Sequence, residues 1–305
     1  MGRMDTLQRY VWLSIGAALL TIMLKGGAAW LTGSVGLLSD ALESTVNLVA
    51  AAVALVALKT AERPPDDRHH FGRGKAEYMS AAIEGGMIFF AAGVIVWTAL
   101  RRLVDPQPVE QAGLGLAIIA VATLLNLGVG LVLIRAGRTH RSITLEADGK
   151  HLLTDVWTSV GVLVGVGLVA VTGFDRLDPV VALAVGVNIL VTGWGLVRRS
   201  GAGLLDASLP PADREAVEAV VAAYRARGID FHALRSRESG QYRFVYVHVL
   251  VPGDWTVVQG HDLCEQIERD IALALPGTTT FTHLEPAGDP SSYADEQLGD
   301  ARFRA

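Results

Sequence analysis

At 305 residues the chain is 51% hydrophobic and 19% charged, below the roughly 25% charged usual for soluble domains, and its mean hydropathy is +0.38. A formal net charge of -5 gives no support to a nucleic-acid partner. A single cysteine, Cys264, rules out an internal disulfide and any Cys-rich metal site.

The shortage of charge is concentrated in the first part of the chain, which predicts an integral membrane part followed by a soluble part. Six apolar segments have spanning length: Tyr10–Leu31, Val35–Leu58, Tyr78–Leu100, Gly113–Ile134, Leu152–Val171 and Pro179–Val197. The first is long and lacks a small-residue cleavage site, so it reads as a spanning helix rather than a signal peptide. An even number of spans puts both termini on one side. With the N-terminus inside, the inner loops carry thirteen Lys and Arg between Arg3 and Arg199, whereas the outer loops carry only Arg101, Arg102 and Arg176. That asymmetry predicts cytoplasmic termini. Lys25, inside the first span, either snorkels or pairs with a carboxylate of the bundle.

After Leu209, Pro210 and Pro211 end the last span and a small soluble domain begins. Pro211 to Arg227 has helical apolar spacing. Phe231–Glu238 and Gln241–Val251 read as strands joined at Ser239-Gly240, Thr256–Leu275 as an amphipathic helix, and Thr278–Glu285 as a third strand. The expected fold is therefore an α-helical membrane protein with six transmembrane helices and a C-terminal α+β cytoplasmic domain of order αββαβ. The expected divisions are 1–207 for the spans, 208–290 for the cytoplasmic domain and 291–305 for a flexible polar tail.

The second span holds LSDALESTVN, with Glu43 and Asn47 four residues apart and so on one helical face. The fifth repeats that spacing with His151 and Asp155 in KHLLTDV. Ionisable groups inside a span are functional candidates by default, and two such pairs can surround one small ion. Two carboxylates balance a divalent cation and lower the cost of burying it. Four ligands without cysteine, one of them imidazole, suit a tetrahedral first-row ion such as Zn²⁺. An imidazole also exchanges protons near neutral pH, so metal and protons compete for such a site. The plain alternative is four unrelated polar residues hydrogen-bonded between packed helices. Asp40 and Asp148, each three residues before a pair, act either behind the ligands or in helix packing.

Two further groups lie outside the spans. The loop PDDRHHFGRGKAE brings Asp66, Asp67, His69 and His70 close together. The soluble domain carries His232, His248, His261, His283 and Glu285, an imidazole-and-carboxylate set suited to Zn²⁺ that could hold two ions.

TGSVGLLSDALESTVN, HHFGRGKAE, DGKHLLTDVWTS and LLDASLP, in this order, resemble the cation diffusion facilitator family, and specifically its bacterial six-helix members. The resemblance runs from about Leu7 to Pro286. It implies a homodimeric metal/proton antiporter of the bacterial inner membrane, contacting lipid, with a metallochaperone-like cytoplasmic domain. It implies export of Zn²⁺ or Fe²⁺, with Co²⁺, Mn²⁺, Ni²⁺ and Cd²⁺ compatible, by alternating access with protons as coupling ion. The transport site it implies is Glu43, Asn47, His151 and Asp155. It also implies a pair of metal ions in the cytoplasmic domain and a salt-bridge network at the dimer waist using Lys75 and Asp206. Four positions depart from the family pattern. Many members carry Asp or His at Glu43 and Asp at Asn47; the latter change removes one negative charge and weakens a ligand. Arg73 replaces the second loop histidine, and a cation there repels metal, so a loop site of Asp66, His69 and His70 is expected to be weak. Glu285 stands where Asp is common.

Two rival classes share these ligand types. An intramembrane metallohydrolase would need a motif such as HExxH or a nucleophile in the spans, and neither is present. A metal-sensing or scaffold membrane protein would bind divalent metal without moving it.

Overall fold

Residues 3–32, 35–105, 113–174 and 176–293 are described by a computed structural model. Six long helices come first: α1 (Arg3–Thr32), α2 (Val35–Ala61), α3 (Ala76–Val104), α4 (Gly113–His140), α5 (Ile143–Thr172) and α6 (Leu177–Leu204). All six are long and apolar enough to cross a membrane. Their outward faces carry large apolar side chains, among them Trp12, Phe90, Trp97, Leu124 and Val191. So much exposed apolar surface suits hydrocarbon rather than water. The chain is a multi-pass membrane protein.

The helices extend past the apolar segments, most of all α5, which begins at Ile143 rather than Leu152. Ser142 caps it by accepting from the Leu145 amide at 3.4 Å. The same hydroxyl donates to Glu77 of α3 at 2.5 Å. Glu146 is met by Lys150 at 2.9 Å and by Arg199 of α6 at 2.7 Å. These partners let a charged first turn fold as helix and be buried, which the hydropathy of the segment could not show. Arg141, at φ 55°, makes the turn between α4 and α5.

Helices α1, α2, α4 and α5 touch pairwise around a common core, and α3 packs most extensively on α6. Leu58 of α2, Leu133 of α4 and Leu145 and Leu152 of α5 fill the four-helix core with Val11 of α1. Small residues set the closest approaches. A side-chain carbon on Gly149 of α5 would lie 2.8 Å from the Gly130 carbonyl of α4 and 2.9 Å from the Ile134 amide. Only glycine lets these backbones meet. Polar groups of the spans point inward: Lys25, Asn47, Glu84, Asn126, Asp148, His151 and Asp155 are all below 9% exposed. Lys25, at 3%, is enclosed by the bundle, which favours the pairing reading over snorkelling.

A second unit begins at Leu205. It comprises α7 (Pro211–Arg225), β1 (Asp230–Ser239), β2 (Tyr242–Val251), α8 (Val257–Ala274), β3 (Thr278–Pro286) and a short 3-10 turn at Pro290–Tyr293. The strand order is β1-β2-β3, antiparallel then parallel. The hairpin turn is centred on Gly240-Gln241, one residue later than expected, because Gly240 supplies the φ of 60° that the reversal needs. Val245, Val247, Val249 and Val251 of β2 face Ile267 and Ile271 of α8 and Val217 and Val221 of α7. Burying each valine stabilises by about 1.5–3 kcal/mol. Residues 294–305, most of the expected tail, lie outside the described residues.

Candidate metal sites

In the membrane unit, Asp155 is the point of convergence. The Asn47 side-chain amide of α2 donates to Asp155 Oδ2. The Asn126 amide of α4 approaches the same oxygen at 3.4 Å. His151 lies one turn earlier on the same helix as Asp155 and is 7% exposed; Asp155 is 8%, and both asparagines are 2%. Asn47 Oδ1, Asn126 Oδ1 and His151 Nδ1 are buried and have no hydrogen-bond partner among the described residues. Unsatisfied buried polar atoms are uncommon and call for an explanation such as an ion. Glu43 and Asp40 fall on α2, but their side chains lie outside the described residues.

Asp148 is 1% exposed and receives a hydrogen bond from Ser14 of α1, leaving Oδ2 without a partner among the described residues. It therefore ties α5 to α1 on a buried face. Among the buried polar residues that the sequence did not single out are Asn126 of α4 and Glu84 of α3, the latter hydrogen-bonded by Ser80 at 3.3 Å. Each is a lone polar residue in an apolar run rather than half of a spaced pair. Their position within a span was the available signal.

The loop between α2 and α3 is organised by Asp66. Its carboxylate accepts from the His69 amide at 2.9 Å and meets Arg73 at 2.5 Å. The Arg73 guanidinium holds the Asp66 carboxyl well below the usual carboxylate range. His69 Nδ1 sits 3.2 Å from Asp66, and His70 is exposed. Arg73 thus occupies the carboxylate that a loop metal would need. Lys75 donates to the Leu204 carbonyl at 3.0 Å, and Asp206 accepts from Arg237 at 3.1 Å.

In the second unit the sheet itself builds a cluster. His232 pairs with His248 across β1 and β2, and His248 pairs with His283 across β2 and β3, so three imidazoles form one row. Adjacent rings are 4.9 and 4.7 Å apart. Glu285, two residues past His283 on the same face, lies 2.7 Å from His232, 3.1 Å from His248 and 3.8 Å from His283. A bulge directly after His232, with Ala233 at φ 49°, breaks the register there. Ligand atoms of His232, His248 and Glu285 lie within 4.8 Å of one another, a set that fits a metal ion. His283 sits at the edge, 60% exposed, and His261 is exposed on α8.

The comparisons with known proteins agree with this layout. The cation efflux transmembrane domain matches residues 11–205, and the cation efflux protein cytoplasmic domain matches residues 209–287. An uncharacterized transporter of Synechocystis is 53% identical over 284 residues, covering 93% of this chain and 92% of its own. The cation-efflux pump FieF of Klebsiella pneumoniae is 31% identical over 287 residues, 94% of each chain. That of Citrobacter koseri is 31% identical over 274 residues, 88% of this chain and 89% of its own. With six spans that enclose a buried polar site, followed by a small mixed sheet, the chain belongs to the cation efflux, or cation diffusion facilitator, family of membrane transporters.

Proposed function

We propose that this protein exports a first-row divalent metal ion from the cytoplasm in exchange for protons, through a site built on Glu43, Asn47, His151 and Asp155. The observation that carries the reading is the meeting of Asn47 and Asn126 on Asp155, with His151 one turn away and three polar atoms without hydrogen-bond partners among the described residues. The names of the FieF relatives, cation-efflux pumps, support it.

Asp155 supplies negative charge to an arriving cation, and His151 supplies a nitrogen lone pair. The asparagine amides donate N–H groups to Asp155 and so keep its carboxylate hydrogen-bonded. To face a cation they must turn their carbonyl oxygens inward, which a rotation of the amide achieves. Protons compete for His151 and Asp155, since each binds metal only when deprotonated. Rocking of α2 and α5 with the bundle would alternate access, as in other transporters with midplane sites. Release on the far side then follows protonation from outside.

The remaining parts follow the same reading. Residues 1–207 form the transport domain and 208–290 a cytoplasmic domain in which His232, His248 and Glu285, with His283 beside them and His261 on α8, hold Zn²⁺. A resident ion there would cross-link the three strands; the residues themselves supply two nitrogens and a carboxylate in a preformed row. The protein works as a homodimer in the bacterial inner membrane, with both termini cytoplasmic, lipid around the spans, and Lys75 and Asp206 strengthening the dimer waist. Zn²⁺ and Fe²⁺ are the cargo ions to which the sequence pattern points.

Proteoliposomes loaded with a pH dye and offered Zn²⁺, Fe²⁺, Mn²⁺, Co²⁺, Ni²⁺ and Cd²⁺ in turn test this. Metal flux with proton counterflow is the expected result. Metal binding without flux would instead favour a sensing or scaffold protein.

A further inference from the structure

Asn126 belongs to a helix that the two spaced pairs do not use. It is 2% exposed, its Nδ2 stands 3.4 Å from Asp155, and its Oδ1 has no hydrogen-bond partner among the described residues. A buried carbonyl left so loses its hydration without a replacement partner, which is unfavourable. A leucine at this position would avoid that cost and suit the apolar run of α4. The unmet carbonyl is matched by a second, Asn47 Oδ1, whose own amide N–H donates to the same Asp155 oxygen. Carbonyl oxygens only accept, so each is short of a donor or a cation, and one cation shared with Asp155 would satisfy both at once.

The backbone places Asn126 for this. Gly130 lies one helical turn after it on the same face, and Gly130 meets Gly149 of α5 at backbone contact distance. The close approach brings a side chain as short as asparagine to Asp155. A longer side chain was not needed, and a wider helix spacing would leave it out of reach.

We propose that Asn126 is a ligand of the transported metal, and that the amide oxygens of Asn126 and Asn47 tune the site toward an ion that takes five or six oxygen-rich ligands, of the Mn²⁺ and Fe²⁺ kind, over tetrahedral Zn²⁺. This rests on the transport site proposed above. With His151, Asp155, Asn47 and Glu43, Asn126 makes five protein ligands, of which four are oxygens. Zn²⁺ is held best by four ligands rich in nitrogen or sulfur. Carbonyl and carboxylate oxygens suit Mn²⁺, and one imidazole remains compatible with Fe²⁺. A site with two neutral amides also carries less negative charge than one with three carboxylates.

The competing role for Asn126 is that of a donor that merely orients Asp155. Asn126→Ala and Asn126→Asp separate the two in proteoliposomes, with Mn²⁺ and Zn²⁺ flux measured on the same preparation. A ligand role predicts that wild-type protein moves Mn²⁺ faster than Zn²⁺. Asn126→Ala then lowers Mn²⁺ flux by about tenfold or more, and Zn²⁺ flux by less than about threefold. Asn126→Asp, which keeps an oxygen ligand, retains most Mn²⁺ flux. A donor role predicts the reverse for Asn126→Asp, because a second carboxylate against Asp155 depresses both ions together. Equal loss of both ions in the two variants, an unchanged Mn²⁺ to Zn²⁺ ratio in Asn126→Ala, or a wild-type preference for Zn²⁺ would overturn the proposal. If Asn126→Ala does not fold, the Asn126→Asp comparison decides alone. Normal flux in Asp155→Ala would show that the site itself is misplaced, which is a different failure.

Discussion

Single residues carry most of the proposed chemistry, and in the loop that residue is Arg73, which pairs with the Asp66 carboxylate. It forms a 2.5 Å contact with Asp66, while His69 stays 3.2 Å away. Replacing Arg73 with His would return the Asp66 carboxyl toward the ordinary carboxylate range and offer a second imidazole. Isothermal titration should then find one more metal ion bound per protomer in Arg73→His than in wild type. An unchanged stoichiometry would mean that the loop lacks a site for reasons beyond Arg73. In the cytoplasmic domain the corresponding residue is Glu285, the carboxylate common to three histidines. Glu285→Ala should weaken metal binding to that domain by at least about tenfold. Equilibrium dialysis of the full-length protein would check this.

Elements decide which residues can meet. The i, i+4 spacing of His151 and Asp155 already implied a shared face of α5, and the alternation along β2 implied that His248 and the valines lie on opposite faces. Local periodicity carries that much. It does not carry the contact between α4 and α5, because nothing in the spacing of Asn126 points to α5. That contact follows from Gly130 and Gly149, whose lack of side chains allows the backbones to close. The row of His232, His248 and His283 was equally hidden, since strand register across a bulge is a tertiary property. The buried start of α5 was missed because its charges are neutralised by partners on another helix, at Arg199. Gly149→Ala should push α4 from α5 and lower both thermal stability and flux, whereas Gly128→Ala, with open space at its side-chain position, should leave both near wild type. Scanning fluorimetry with a flux assay on both variants would measure this. Equal behaviour would remove the close approach from the account.

For the whole molecule, we propose that cation efflux passes through the site at Asp155 and is exchanged for protons. Six spans and three strands in the order αββαβ were legible from hydropathy and alternation, whereas the parallel pairing of β2 with β3 was not, and the family is shown by the matched domains. The remaining claim is functional and needs a variant that removes the site but spares the cytoplasmic cluster. Asp155→Ala does so, because His232, His248 and Glu285 belong to the second unit. The decisive measurement is metal flux and internal pH in proteoliposomes carrying Asp155→Ala, with metal bound by the cytoplasmic domain checked on the same protein. Metal flux and its proton counterflow should fall together by about a hundredfold or more, while the cytoplasmic domain still binds its ion. Flux near the wild-type rate, or metal flux that persists without proton movement, would rule out that path.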